Sequence, residues 1–170
     1  MSSILPVSEM LESRTLLSSA FINNTVLTII GDLKTANNIS VHRTGDNEIT
    51  VSMNGKDQVF GPCDPITKVV IEGGNKPDKL VINESDRPLD LPVLMNGKIG
   101  DDTVEGGAGN DSIWGNAGHD NVAGQNGNDV LYGGSGEDAM FGGNGNDTFH
   151  GGDPHDRMDG GAGKNRFLKH

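Results

Sequence analysis

The chain has 170 residues, the size of one domain or of a small domain joined to a repeat array. Of its 26 glycines, 20 fall between 97 and 168, and aromatic residues make up only 4%, which suits the thin core of a solenoid better than a two-layer globule. The net charge is −11, and from 97 to 168 there are 12 Asp and Glu against 4 Lys and Arg, a balance that argues against nucleic acid as a partner and suits a chain that meets cations.

The single cysteine, Cys63, leaves no possible intrachain disulfide. No run reaches the roughly 18 apolar residues of a membrane span, so none is expected. Residues 1–20 are Ser-rich with little periodicity and read as a leader or targeting-like segment. They lack a basic start, and their apolar patch at 16–22 is too weak for an ordinary signal peptide. Within them, Met10-Leu11-Glu12-Ser13-Arg14-Thr15-Leu16-Leu17-Ser18 resembles the LEPR-xLL segment at the N-terminus of many large secreted or surface-exposed bacterial repeat proteins. Ser13 stands where that motif has Pro. The resemblance implies export to a bacterial cell surface or beyond it.

Residues 21–96 read as β throughout. Val26-Leu27-Thr28-Ile29-Ile30, Ile49-Thr50-Val51-Ser52-Met53 and Lys68-Val69-Val70-Ile71 are β-branched runs bounded by Gly, Asn and Asp. Asn54-Gly55 is a two-residue hairpin signal, since both residues tolerate the positive φ of a type I′ turn. Thr44-Gly45-Asp46-Asn47 marks a turn before it. Gly73-Gly74-Asn75-Lys76-Pro77-Asp78-Lys79-Leu80-Val81 has the form of a decayed repeat, with Asp sixth and Leu eighth. The region is expected to be a β cap, continuous with the glycine-rich half of the chain, from which a hairpin at about 43–60 protrudes.

From 97 the sequence divides without a gap into eight blocks of nine: GKIGDDTVE, GGAGNDSIW, GNAGHDNVA, GQNGNDVLY, GGSGEDAMF, GGNGNDTFH, GGDPHDRMD and GGAGKNRFL. A fixed period names an architecture. The first place is always Gly and the fourth is Gly in seven blocks, which calls for positive φ or for close approach to an ion. The sixth place holds Asp102, Asp111, Asp120, Asp129, Asp138, Asp147 and Asp156, then Asn165. The eighth is always apolar: Val104, Ile113, Val122, Leu131, Met140, Phe149, Met158 and Phe167. The blocks match GGxGxDxUx, and the segment resembles the RTX (hemolysin-type calcium-binding) repeat family over 97–168. That resemblance implies an all-β fold, a right-handed parallel β-roll, with Ca²⁺ in its turns.

The residue types fit that chemistry on their own terms. A hard cation takes about six to eight oxygens, some of them carboxylate, and one Asp per turn with turn carbonyls supplies them. If a block is half a coil, residues 18 apart stack at about the 4.8 Å of neighbouring strands. One row is then Val104, Val122, Met140 and Met158, and the facing row is Ile113, Leu131, Phe149 and Phe167. The ligand pairs become Asp102/Asp120, Asp120/Asp138 and Asp138/Asp156 along one edge, and Asp111/Asp129, Asp129/Asp147 and Asp147/Asn165 along the other. About four to six Ca²⁺ are expected. Pro154 weakens the Asp138/Asp156 pair by replacing a Gly, and Asn165 removes a carboxylate from the last pair. Without ions, stacked carboxylates and Gly-rich turns oppose folding, so the segment should be largely disordered in chelator.

Other features carry less chemistry. Trp114, Tyr132, His150 and Leu168 form one outer column, either a stiffening stack or a platform for a glycan or surface protein. His119 and His155 lie in turns and read as solvated. Asn110-Asp111-Ser112 and Asn146-Asp147-Thr148 match the glycosylation sequon only because the repeat generates it. HExxH, GxSxG and phosphate-loop signatures are missing from the sequence, so catalysis is not expected. The expected function is a secreted or cell-surface calcium module with a structural or adhesive role. The alternatives are a calcium-dependent folding or secretion appendage of an enzyme or toxin, and a recognition module using the ring column.

Overall fold

The computed structural model describes residues 19–23, 25–44, 48–60, 66–85 and 87–168. Residues 1–18, with the LEPR-like segment, lie outside the described residues, as does most of the turn at 44–47. The upstream strands are β1 (Ser19–Asn23), β2 (Val26–Ile30), β3 (Asn38–Arg43), β4 (Ile49–Met53), β5 (Lys56–Phe60), β6 (Lys68–Glu72), β7 (Lys79–Ile82) and β8 (Val93–Ile99). The array supplies β9 (Thr103–Glu105), β10 (Ser112–Ala117), β11 (Asn121–Asn126), β12 (Val130–Ser135), β13 (Ala139–Asn144), β14 (Thr148–His150), β15 (Arg157–Asp159) and β16 (Arg166–Leu168). No helix among these residues is long and apolar enough to cross a membrane.

The strands form two eight-stranded sheets. One runs β1-β2-β6-β8-β10-β12-β14-β16 and the other β15-β13-β11-β9-β7-β3-β4-β5. Successive array strands alternate between sheets, and each pairs in parallel with the strand two further on, the order of a roll. Ile113 lies beside Leu131, Leu131 beside Phe149 and Phe149 beside Phe167. In the other sheet Val104 lies beside Val122, Val122 beside Met140 and Met140 beside Met158. Both rows therefore step by 18 residues, as the period requires. Their side chains are buried as far as Met140 and Phe149, whereas Met158 is half-buried and Phe167 is 46% exposed, so the core thins at the last coil.

The coils continue upstream of the array. Ile71 lies beside Met95 and Leu80 beside Val104, coils of 24 residues. Ile29 lies beside Ile71 and Ile39 beside Leu80, steps of 42 and 41. The longer coils carry their extra residues as insertions, and one of these, around 83–92, tucks Leu89 fully into the core. In the region 43–60, where the sequence predicts a protruding hairpin, β4 and β5 form the outer strands of the second sheet. β3 pairs antiparallel with β4 and β4 with β5, and Ile49, Thr50 and Val51 are buried. Ile49 and Val51 of β4 join the core, whereas Lys56–Val59 of β5 are exposed. Asn54 and Gly55 take φ of 50° and 77°, as the hairpin turn needs. Ser19 and Ala20, placed with the leader by sequence, belong to β1.

Candidate metal-binding turns

Each array strand is too short to close its own turn, so the sixth residue of each block does it. The N–H of Asp102 donates to Asp120 Oδ1 (2.8 Å), that of Asp120 to Asp138 Oδ1 (2.9 Å) and that of Asp138 to Asp156 Oδ1 (3.0 Å). On the other edge Asp111 donates to Asp129 Oδ1 (2.8 Å), Asp129 to Asp147 Oδ1 (2.9 Å) and Asp147 to Asn165 Oδ1 (2.8 Å). The structure thus brings each sequence-predicted pair together across one coil, with one oxygen of each side chain holding the coil before it. Asp102, Asp111, Asp120, Asp129, Asp138 and Asp147 are at most 2% exposed; Asp156 and Asn165 are half-buried.

The second oxygens are the unusual atoms. Asp102, Asp120, Asp129, Asp138 and Asp147 each bury an Oδ2 with no hydrogen-bond partner. A buried unpaired carboxylate oxygen is expensive, and these are not randomly aimed. A methyl group added at Gly97 would meet both Asp102 Oδ2 and the Gly115 carbonyl within 3.0 Å, and one at Gly115 would meet Asp120 Oδ2 and the Gly133 carbonyl. Gly124 and Gly142 give the same result with Asp129 and the Gly142 carbonyl, and with Asp147 and the Gly160 carbonyl. Carboxylate and carbonyl oxygens converge there with no donor among them, and a hard cation is the group that fits. Among the described residues no three His, Cys, Asp or Glu side chains converge. Side chains alone therefore make no site, and the backbone carbonyls must supply the remaining ligands.

The recurring glycine places separate into two causes. Gly100, Gly118, Gly127, Gly136, Gly145 and Gly163, at the fourth place, have φ between 123° and 141°, a region open in practice only to Gly. The first-place glycines lie outside the positive-φ region and are needed for space, since a side chain there would fill the oxygen cradle.

Burial governs the charges. It pushes the Asp102 and Asp129 carboxyls up to about 7 and that of Asp120 up to about 6. Backbone N–H donors oppose the rise, and neighbouring carboxylates along the edge add to it. Asp111, Asp138 and Asp147 are raised by burial as well. A ladder of acids at a low-dielectric edge resists ionisation, and a divalent ion reverses that preference.

A family model described as RTX calcium-binding nonapeptide repeat (4 copies) matches residues 96–131 and again 132–167. Residues 96–167 are RTX calcium-binding repeats. They bind calcium and build a β-roll module. No curated protein matches the chain.

Several features beyond the RTX pattern complete the site. Asp78, outside the matched residues, is 4% exposed and continues one ladder upstream, its N–H donating to Asp102 Oδ1 (2.8 Å). The decayed repeat at 73–81 signalled it. Above it Asn37 occupies the same place, its N–H donating to Asp78 Oδ1 (2.6 Å); Gly31 packs against it as a first-place glycine would, but one residue further upstream than in the array, which hid the pattern. Asp111 differs from the five orphaned acids, since its Oδ2 accepts the Gly107 N–H (2.9 Å) and its Oδ1 the Val93 N–H (2.9 Å). At Pro154 the turn closes locally, with the Asp153 N–H on Asp156 Oδ2 (3.0 Å).

The ring column is a stack. Trp114 and Tyr132 lie 5.2 Å apart at 5°, and Tyr132 and His150 lie 4.4 Å apart at 12°. The ring faces are turned on one another, so a sugar finds ring edges where it needs a face. Exposed His155 pairs with Asp153 (2.8 Å), and His119 Nδ1 accepts the Glu137 N–H (3.1 Å).

Proposed function

We infer that the turns at Asp102/Asp120, Asp120/Asp138, Asp138/Asp156, Asp111/Asp129, Asp129/Asp147 and Asp147/Asn165 hold about four to six Ca²⁺ and that the bound ions complete the fold. The observation that carries this is the set of five buried Oδ2 atoms without partners, four of which, on Asp102, Asp120, Asp129 and Asp147, face a backbone carbonyl of the next coil across the first-place glycine. Five ions would bring ten positive charges to a chain of net charge −11, so binding and folding are coupled. Residues 97–168 act as the calcium-dependent roll, and residues 21–96 as the β cap on which it is built.

The role is that of a non-catalytic, secreted or cell-surface module with a structural or adhesive task. The typical extracellular setting of RTX repeats supports it, as does the LEPR-like segment. Calcium there is abundant enough to keep weak sites filled. The stacked ring faces take support from the glycan reading of Trp114, Tyr132 and His150. Calcium titration by calorimetry with far-UV circular dichroism tests the proposal. Binding heat saturating at about four to six ions with a gain of β signal is expected; an unchanged spectrum in excess EDTA would refute it.

A further inference from the structure

The second place of the repeat carries a regularity that residue type does not explain. Lys98, Asn116 and Gln125, none of them Gly, all take φ of 81°, and Gly134, Gly143, Gly152 and Gly161 at the same place lie between 67° and 131°. Two turns depart from this. Gly74 and Gly107, second residues of the first turn on each edge, lie outside the positive-φ region. In those two turns the second-place N–H points inward and donates to the turn's own Asp Oδ2, Gly74 to Asp78 and Gly107 to Asp111 (2.9 Å).

Among the buried acids the two sets match. Asp102, Asp120, Asp129, Asp138 and Asp147, the acids whose Oδ2 has no partner, are those whose second-place residue has positive φ. The peptide between the first and second residues thus has two orientations. In one, its N–H serves the Asp of its own turn. In the other, its carbonyl turns toward the Asp one coil back, as Gly115 O does beside Asp102 Oδ2 and Gly133 O beside Asp120 Oδ2. It cannot do both.

Upstream chemistry explains which turns adopt which. Behind the Gly106–Gly107 peptide the sixth place is Val93, whose N–H donates to Asp111, and behind Gly73–Gly74 it is Asn37, which already spends its amide on Asp78 Oδ1 and the Asp32 carbonyl. Neither offers a carboxylate with which a carbonyl could share a cation. The N–H therefore stays in. Every later peptide has an Asp behind it, and the carbonyls of Gly97, Gly115, Gly124, Gly133, Gly142 and Gly160 turn there; that of Gly151 accepts the Gly134 N–H instead. That arrangement places a non-glycine residue in the left-handed region and gives up a hydrogen bond to a buried acid, two costs that only a cation offsets.

We propose that the peptide joining the first and second residues of a repeat, wherever an Asp lies one coil behind it, is the calcium-responsive element of the roll. With an ion its carbonyl faces the preceding coil's Asp; a turn that folds without one takes the other orientation, its N–H on the Asp of its own turn, as at Gly74 and Gly107. Gly73–Gly74 and Gly106–Gly107 are fixed in the ion-free orientation, so the first acid on each edge has both oxygens hydrogen-bonded before any metal arrives. This rests on calcium binding at the Asp turns.

The test separates backbone from side chain at Asn116, whose Nδ2 donates to Asn96 Oδ1 (2.8 Å). Asn116→Gly and Asn116→Val lose that bond equally but differ in access to positive φ. In calorimetric calcium titration of the full chain, the Val variant should bind one site about tenfold more weakly than the Gly variant and leave the distant sites unchanged. Gln125→Gly removes no hydrogen bond to another residue and should bind calcium several-fold more tightly than the parent, a gain that misfolding cannot produce. Equal affinities for the two Asn116 variants, or no gain from Gln125→Gly, overturn the switch while leaving calcium binding intact. Absence of calcium binding in the parent removes both the switch and the reading beneath it.

Discussion

Replacing Asp129 by Asn should have opposite effects with and without calcium. Asp129 is 1% exposed; its Oδ1 accepts the Asp111 N–H and its Oδ2 has no partner. Burial pushes its carboxyl from 3.8 up to about 7, a rise of about 3 units at about 1.4 kcal/mol each, so keeping it ionised in the ion-free roll costs about 4 kcal/mol near neutral pH. Solvent reaching the turn reduces this to about 2 kcal/mol. Asn keeps the acceptor and removes the charge, as Asn165 already does beneath Asp147. In excess EGTA the variant should therefore hold more β structure and resist denaturant better, by about 2 kcal/mol. In calcium, two adjacent sites lose a carboxylate. At a hundredfold excess over Kd each site contributes about 2.7 kcal/mol, so the net loss is about 3 kcal/mol and Tm falls by about 6–12 °C. Paired circular dichroism melts in EGTA and in calcium read both signs. A shift of the same sign in both buffers would refute the argument that this carboxylate is strained without an ion.

The remaining expectations come from the same geometry. Because Asp102, Asp120 and Asp129 have folded-state values above the unfolded 3.8, the ion-free roll binds more protons than the unfolded chain between about pH 4 and 7. In chelator the residual folded fraction should be greatest below pH 4 and fall as pH rises toward 7, which dichroism across that range will measure. Calcium affinity should fall as pH drops through 7 to 6, because the same protons compete with the ion. Gly115→Ala places a methyl against Asp120 Oδ2 and the Gly133 carbonyl and should weaken one site by tenfold or more, about 1.4 kcal/mol by calorimetry. Phe149→Ala, at a site with no exposure, should cost about 3–5 kcal/mol in calcium; Phe167→Ala, at 46% exposure, should cost less than half as much in the same denaturant titration.

The array was legible because nothing interrupts its arithmetic. Once Gly97 opens a nine-residue frame, the 18-residue step alone sets Val122 beside Met140 and Asp120 beside Asp138, and strand pairing obeys it. Upstream, the same rows continue through Leu80, Ile39, Met95 and Ile71, but insertions stretch the step to 24 and 42 and hide it. The β4–β5 hairpin was legible from Asn54-Gly55 alone; a strong local turn says where two strands reverse and is silent on which of them joins the core. The orientation of the peptide at Asn116 or Gln125 left no mark in composition, because it is set by what the coil before offers and not by the residue itself.

The column of Trp114, Tyr132 and His150 and the chain of side-chain bonds through Asn110, Asn128, Asn146 and Lys164 both recur every second block. One edge carries Asn and one face carries rings; the other edge carries Asp101, His119, Glu137 and His155. Losing one block of nine would slide every later residue to the opposite edge, breaking the ring stack and setting Asn against His. Losing two would shorten the roll by a coil and leave each column in line. The structural unit of this protein is therefore the pair of blocks, and the roll can be lengthened or shortened without scrambling its surface only in steps of 18 residues.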